Sequence, residues 1–296
     1  MALPPPPPLG AAMLPADALA GRVAMVTGGG SGLGLAISVE LARAGAAVGV
    51  VSRDPERRRR GIEAVRALGG RAAECELDVR FPETYPAVFG AIEAELGGVD
   101  ILVNNAAANF YAPAESVTPK GYATLVERIM TPAFFMSTEL ARRLLSRKRD
   151  GAIVNIVSGL GLTGGPGVAA NAAAKAGVIN LTKSLAVEWA RDGVRVNAAA
   201  PGLFPHGDDD PKTREGRHAF RDGVDVTTTP GRVGAPHEFA WLVAYLCSRF
   251  AAYLTGQTIS MDGGQSLPGR IEGAPYMPIR EQIAAMTRPP PRTEGG

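Results

Sequence analysis

Short apolar runs alternate with stretches of helical spacing along most of the chain, and this alternation restricts the fold more than any composition figure. The runs Val23–Val26, Ala47–Val51, Ala72–Leu77, Ile101–Val103, Ala152–Val157, Arg195–Ala199 and Thr258–Ser260 are bounded by turn residues and read as buried strands. Between them, residues at about 32–44, 56–68, 83–96, 119–148, 168–190 and 236–248 carry apolar side chains at helical intervals. Thr118-Pro119 marks a helix start, with proline at the first position, where no backbone donor is needed. Regular strand–helix–strand alternation returns each strand parallel to the last. The expected fold class is therefore α/β, a doubly wound parallel sheet with helices on both faces. No repeat or linker breaks up the middle of the chain, so a single domain is expected over 20–266.

The ends have a different composition. Residues 1–19 begin with five consecutive prolines, Pro4 to Pro8, and read as a Pro-rich arm, polyproline or disordered. Residues 267–296 are rich in Pro, Gly and Arg, with a short helix expected around Arg280–Met286. Such a tail is either disordered or laid over a neighbouring subunit.

Charge excludes some partners. With 31 basic and 29 acidic residues, the net charge of +2 gives no nucleic-acid footprint. The run Arg57-Arg58-Arg59-Arg60 follows Asp54-Pro55-Glu56 at an expected helix start and reads as a solvated helix face. Cys75 and Cys247 are far apart, as buried thiols in a reducing compartment would be, and His206, His218 and His237 have no metal-ligand spacing. No metal site is expected. There is no basic start followed by an apolar core, and no apolar run reaches the length of a membrane span. A cytoplasmic location with no membrane partner is expected.

The first strand runs into Thr27-Gly28-Gly29-Gly30-Ser31-Gly32-Leu33-Gly34, and an apolar helix follows at once. In that setting glycines allow a tight turn and close approach of backbone to a pyrophosphate, which the helix N-terminus stabilises. Thr27, Gly28, Ser31, Gly32, Leu33 and Gly34 are therefore cofactor-binding candidates. The second strand ends in Ser52-Arg53, where an acidic residue would hold the ribose 2′-hydroxyl of NAD(H). Ser52 and Arg53 suit the 2′-phosphate of NADP(H) instead, and Asp54 beside Pro55 suits a helix cap. Asp78 and Val79, just after the third strand, are placed to bracket the adenine.

These pieces join others: Asn104-Asn105-Ala106-Ala107, Ser158, Lys175, Arg195-Val196-Asn197, Pro201-Gly202, and Gly256-Gln257 followed by Asp262-Gly263-Gly264. Together, over residues 20–265, the chain resembles a short-chain dehydrogenase/reductase. The resemblance implies a Rossmann-type seven-stranded sheet, a nicotinamide cofactor and a homotetramer. It also implies that Asn105, Ala106 and Ala107 line the adenosine side and that Lys175 holds the nicotinamide ribose. Pro201, Gly202 and Leu203 would flank the nicotinamide.

The family's active site is Asn, Ser, Tyr and Lys. Ser158 matches the serine and Lys175 the lysine. Asn171, four residues before Lys175 on one helix face, stands at the tyrosine position, and it has no titratable proton in the working range. The helical Asn falls near Met130. Asn104 to Phe110 and Gly164 to Val168 are similar to the 2,4-dienoyl-CoA reductase branch, whose acidic Tyr lies upstream, shortly after the fifth strand. That position corresponds to about Leu160, and the branch's helical Asn to about Pro132, where a kink is expected.

The cofactor carries the redox step, so a missing acid slows turnover without forbidding it. Ser158, Thr163 and Asn171 are candidates to hydrogen-bond a developing oxyanion, and His206 is a candidate replacement donor. Asp208-Asp209-Asp210 reads as a solvated loop. Two functions stand. One is an NADP(H)-dependent oxidoreductase reducing an activated C=C or C=O in a small-molecule substrate such as a CoA thioester. The other is a cofactor-binding relative with lost or redirected chemistry. Catalytic candidates are Ser158, Lys175 and Asn171.

Overall fold

Successive side chains of β1 (Val23–Thr27) feed two cores. Ala24 and Val26 pack on one face of the sheet, Val23 and Met25 on the other, as the two-residue period of a strand requires. Buried on both faces, such a strand has no polar side to show. The computed structural model describes residues 5–107, 110–204 and 232–267. Within them β1, β2 (Ala47–Ser52), β3 (Ala72–Glu76), β4 (Ile101–Asn104), β5 (Gly151–Ile156), β6 (Val194–Pro201) and β7 (Thr258–Met261) form one parallel sheet. Its order is β3-β2-β1-β4-β5-β6-β7.

Helices α1 (Gly32–Arg43), α2 (Pro55–Arg66) and α7 (Pro236–Cys247) cover one face. Helices α3 (Tyr85–Leu96), α4 (Pro119–Arg147) and α6 (Ala169–Trp189) cover the other, and a single turn, α5 (Leu160–Thr163), follows β5. The α/β class, the single domain and the doubly wound sheet expected from the alternation are what the chain adopts. The strand order reverses between β1 and β4, and a doubly wound sheet opens its ligand crevice at such a point.

Three local features set the frame. Asp54 caps α2 by accepting from Glu56 N (2.9 Å) and Arg57 N (3.2 Å). Arg195 holds the end of α7: its Nη1 donates to Leu246 O (2.7 Å) and Ala251 O (3.0 Å), and its Nη2 to Ser248 O (3.0 Å). A buried polar chain joins α4 to α6 by way of β4 and β5. Asn104 Nδ2 donates to Ser137 Oγ (3.2 Å) and Asn155 Oδ1 (2.9 Å), and Asn155 Nδ2 donates to Thr182 Oγ1 (3.0 Å).

α4 runs unbroken through Pro132, as the single helix expected over 119–148 requires. Proline there removes one donor and leaves its ring buried against the rest of the layer. Within the arm expected over 1–19, Leu14, Ala18 and Leu19 join the α1/α7 core, and Leu19 N donates to Ala44 O at 2.7 Å. Further out, His237 Nε2 lies 3.1 Å from Pro7 O. Residues 1–4 and the tail from 268, with its expected helix at Arg280–Met286, lie outside the described residues. No helix among the described residues is long and apolar enough to cross a membrane.

Candidate active site

At the C-terminal ends of β1, β4, β5 and β6 the structure brings together Gly28 to Gly34, Asn105 to Ala107, Ser158, Asn171, Lys175 and Pro201 to Leu203. The glycine loop is close-packed by need. A Cβ on Gly34 would lie 2.2 Å from the Gly28 carbonyl oxygen and 2.6 Å from Asn105 Nδ2, and one on Gly30 would overlap the Arg57 carbonyl oxygen. The cradle therefore admits no side chain. Ser31 sits at the N-cap of α1 in extended conformation, and its hydroxyl does not cap the helix. Leu33 packs on the core beneath.

Thr27 lies below the site rather than in it. It is buried, donates to Val103 O (3.3 Å) and accepts from Asn105 N (2.9 Å) and Ala106 N (2.8 Å). Asn105 Nδ2 in turn donates to Thr27 O at 2.9 Å. Thr27 thus shapes the 104–107 turn from beneath.

At the end of β2, Ser52 Oγ accepts from Asp54 N at 3.3 Å. Arg53 is 57% exposed, its Nη1 3.7 Å from Asp78 Oδ2. Asp78 is held mainly by Arg80, whose Nη2 donates to Oδ2 at 2.6 Å, and this pairing pulls the carboxyl below its ordinary range. Val79 O accepts from the Tyr85 hydroxyl at 2.5 Å, so its side chain packs while its carbonyl is occupied. The arginine run expected as a solvated face is divided. Arg59 pairs with Glu56 and Glu63, whereas Arg58 is tucked in and donates to Ser52 O (2.7 Å) and Arg53 O (3.1 Å). Arg57, read in the sequence as part of that solvated run, is 45% exposed, pairs with Asp54 at 3.4 Å and lays its backbone against Gly30.

On α6, Asn171 and Lys175 are both buried on one face. Lys175 Nζ donates to Ile156 O at 2.7 Å, so the last carbonyl of β5 aims the ammonium. Burial with no acidic partner lowers its pKa from 10.5 to about 8. Two donors of the ammonium remain for a ligand such as a ribose. Ser158 Oγ accepts from Leu160 N at 3.2 Å and so starts α5. Its O–H donates to nothing among the described residues. Thr163 Oγ1 is spent on Gly164 O at 2.9 Å.

Met130, at the helical Asn position, packs over Gly177: a Cβ there would lie 3.1 Å from its sulfur. Leu160 packs toward Gly165 and Val168. Neither offers a proton. Gly202 N donates to Met261 O (3.0 Å) and Leu203 N to Gln265 Oε1 (3.0 Å), which fixes the 201–203 turn against the end of β7. Tyr111, in the loop after β4, lies beside Gly167 ahead of α6. Ala108, Asn109, His206, Asp208 to Asp210 and His218 lie outside the described residues.

A cavity of about 730 Å³ opens at the opposite, N-terminal edge of the sheet, lined by Arg22, Asp100, Asp150 and Arg195 among others. Those charges pair with one another or cap carbonyls: Arg22 Nη2 donates to both Asp150 oxygens at 2.9 and 2.7 Å. The edge is built for cohesion, and the groups with chemistry left to do are at the other end. Among the described residues, no three His, Cys, Asp or Glu side chains are grouped to hold a metal ion.

Comparison with known proteins agrees with this geometry. Residues 28–266 match the family model described as enoyl-(acyl carrier protein) reductase. A probable 2,4-dienoyl-CoA reductase of Bacillus subtilis is 36% identical over 247 residues, which cover 83% of this chain and 97% of the relative. A putative short-chain alcohol dehydrogenase from Sinorhizobium meliloti superposes with a TM-score of 0.78 at 35% identity, covering 85% of this chain and 98% of that one. A putative 2-deoxy-D-gluconate 3-dehydrogenase from Agrobacterium tumefaciens, solved with bound NADP, superposes with a TM-score of 0.76 at 33% identity over 84% of this chain and 98% of that one. Sheet order, glycine cradle, buried lysine and these matches agree: the chain belongs to the short-chain dehydrogenase/reductase family and is an oxidoreductase of that family.

Proposed function

We propose that the protein is an NADP(H)-dependent reductase of activated C=C or C=O bonds, with enoyl or dienoyl thioesters such as CoA esters as its substrate class. The observation that carries this reading is the α6 face, where Lys175 is buried and held by Ile156 O and the residue one turn before it is Asn171, which has no acidic proton. Carbonyl reduction places charge on oxygen and depends on a donor there. A conjugated alkene spreads the charge and depends on it less. The Bacillus subtilis relative, named a probable dienoyl-CoA reductase, points the same way.

The loop suits a dinucleotide: Gly34 is bare where its backbone packs against Gly28 O and Asn105 Nδ2, which keeps the tight turn that brings the N-terminus of α1 up to a pyrophosphate. Bound there, the reduced nicotinamide supplies hydride. Gly28 to Gly34 would hold the pyrophosphate, Asn105 to Ala107 the adenosine side, and Lys175 the nicotinamide ribose. Pro201 to Leu203 would shield the ring from water. Ser158 and Asn171 would donate hydrogen bonds to the substrate oxygen and stabilise charge developing on it. Arg53, with Arg57 beside it, would take the 2′-phosphate, because β2 ends in Ser52 with no acid to hold a 2′-hydroxyl. The Agrobacterium tumefaciens structure with NADP supports that choice over NAD(H). A homotetramer belongs to the same reading, with Phe134 and Phe135 on α4 and Val187 on α6 exposed at 41%, 47% and 82%.

The second reading, cofactor binding with redirected chemistry, is favoured by Leu160 and Asn171, neither of which can give up a proton. Purified protein mixed with NADPH and a panel of dienoyl-CoA, enoyl-CoA and ketone substrates separates the two when absorbance of the reduced nicotinamide is followed. Oxidation with at least one thioester is expected. Tight NADPH binding with no oxidation by any substrate overturns the reductase reading in favour of the second.

A further inference from the structure

We propose that Arg58 sets the cofactor preference without touching the cofactor, as the positioning residue that presents Arg53 to a 2′-phosphate. The inference rests on the NADP(H) reading above. Arg58 lies near the N-terminus of α2, where the helix dipole opposes a cation. It is nevertheless tucked in, 12% exposed, with its Nε 3.3 Å from Glu74 Oε2 on β3. Its Nη1 donates to two successive carbonyls of the β2–α2 turn, Ser52 O at 2.7 Å and Arg53 O at 3.1 Å. A planar guanidinium keeps its donors in a fixed fork, so one side chain holds both peptide planes. Ser52 O also accepts from Leu77 N at 3.2 Å, which ties the turn to the chain leaving β3.

The turn leaves Arg53 little choice of direction. Its carbonyl is held by Arg58, whereas its guanidinium is 57% exposed, with Nη1 3.7 Å from Asp78 Oδ2. Asp78 competes with a phosphate for that guanidinium, and a nearer arginine already grips it. Arg80 donates from Nη2 to Oδ2 at 2.6 Å and from Nε to Oδ1 at 3.0 Å. A carboxylate held at two points by Arg80 leaves the more distant Arg53 able to turn to phosphate oxygens. Arg58 is not placed to do so itself, since its donors meet the two carbonyls and Glu74. Without Arg58 the two carbonyls turn to water, and the Arg53 side chain samples directions that miss the phosphate.

The consequence falls on one cofactor. NAD(H) carries a hydroxyl where NADP(H) carries the 2′-phosphate, and the glycine cradle serves both alike. Loss of Arg58 should therefore weaken NADPH and spare NADH, a signature that general loosening of the fold does not give.

The test measures dissociation constants for NADPH and NADH by nucleotide fluorescence, with no substrate present. It compares the wild type, Arg58→Met, Arg58→Lys, Arg53→Met and the variant carrying both methionines. The wild type should bind NADPH more tightly than NADH. Arg58→Met should lose about tenfold in NADPH affinity and keep NADH affinity within about twofold. Arg58→Lys, which keeps an ammonium within reach of the carbonyls, should recover most of that loss. In the Arg53→Met background, Arg58→Met should cost NADPH nothing further, because it acts through Arg53. Equal losses for the two cofactors in Arg58→Met, or none for either, overturn the proposal while the NADP(H) reading stands. So does an undiminished loss in the Arg53→Met background, which would put the phosphate on Arg58 itself. A wild type that binds NADH as tightly as NADPH overturns both.

Discussion

Replacing Lys175 with methionine should stabilise the cofactor-free protein while weakening its hold on the cofactor. The side chain is 7% exposed, and burial lowers its pKa from 10.5 to about 8. A depression of roughly 2.5 units, at 1.36 kcal/mol per unit, means that carrying the charge inside costs about 3 kcal/mol at neutral pH. Methionine keeps the length of the chain without the charge. It gives up the hydrogen bond from Nζ to Ile156 O, a loss of about 1 kcal/mol. The net gain is about 2 kcal/mol, or roughly 4–8 °C in melting temperature for a domain of this size.

The sign is fixed by where the proton sits. The folded-state pKa lies below the unfolded one, so between about pH 8 and 10.5 the unfolded chain binds the proton that the folded chain has released. Wild-type stability from this group therefore rises through that window, and the advantage of Lys175→Met shrinks. Differential scanning calorimetry of both proteins without cofactor, from pH 6.5 to 10.5, measures the gap. A variant that melts at or below the wild type at pH 7, or a gap that does not close as pH rises, refutes the reasoning. NADPH affinity, read by nucleotide fluorescence, should fall at least tenfold if Lys175 holds the ribose.

Gly34→Ala places a Cβ 2.2 Å from a backbone oxygen, so stability should drop by about 1–3 kcal/mol and NADPH binding should be lost. Unchanged melting temperature and binding would refute the close-packed cradle. Asn171→Tyr puts a phenol one turn from the Lys175 ammonium and should raise ketone reduction at least tenfold. An unchanged rate, with melting temperature preserved, would remove Asn171 from the reacting oxygen. Arg195→Met should destabilise by about 3 kcal/mol, because the carbonyls of Leu246, Ser248 and Ala251 lose a charged donor together. A urea midpoint within 0.3 M of wild type would contradict that role.

The sheet was legible because its strands are buried on both faces and so read as short apolar runs, as Val23 to Val26 and Ala152 to Val157 do. The cofactor loop was legible because close approach admits only glycine. The cap at Asp54 was legible because Pro55 follows it. What could not be read depends on neighbours far along the chain. Met130 finds its place only against Gly177 of α6. Arg58 looked like surface charge because nothing in its own helix reveals the strand-end carbonyls it meets.

The tie between Asn105 and Thr27 spans 78 residues of chain. At synthesis rates of about 5–20 residues per second, the glycine loop leaves the ribosome roughly 4–16 s before the strand that completes it. During that interval β1 has one future neighbour, β2, and an open apolar edge where β4 will lie. The growing chain therefore offers chaperones a binding edge before it offers a nucleotide a pocket. Abundant cofactor can lock the finished protein, but it cannot guide the first half of the chain into shape.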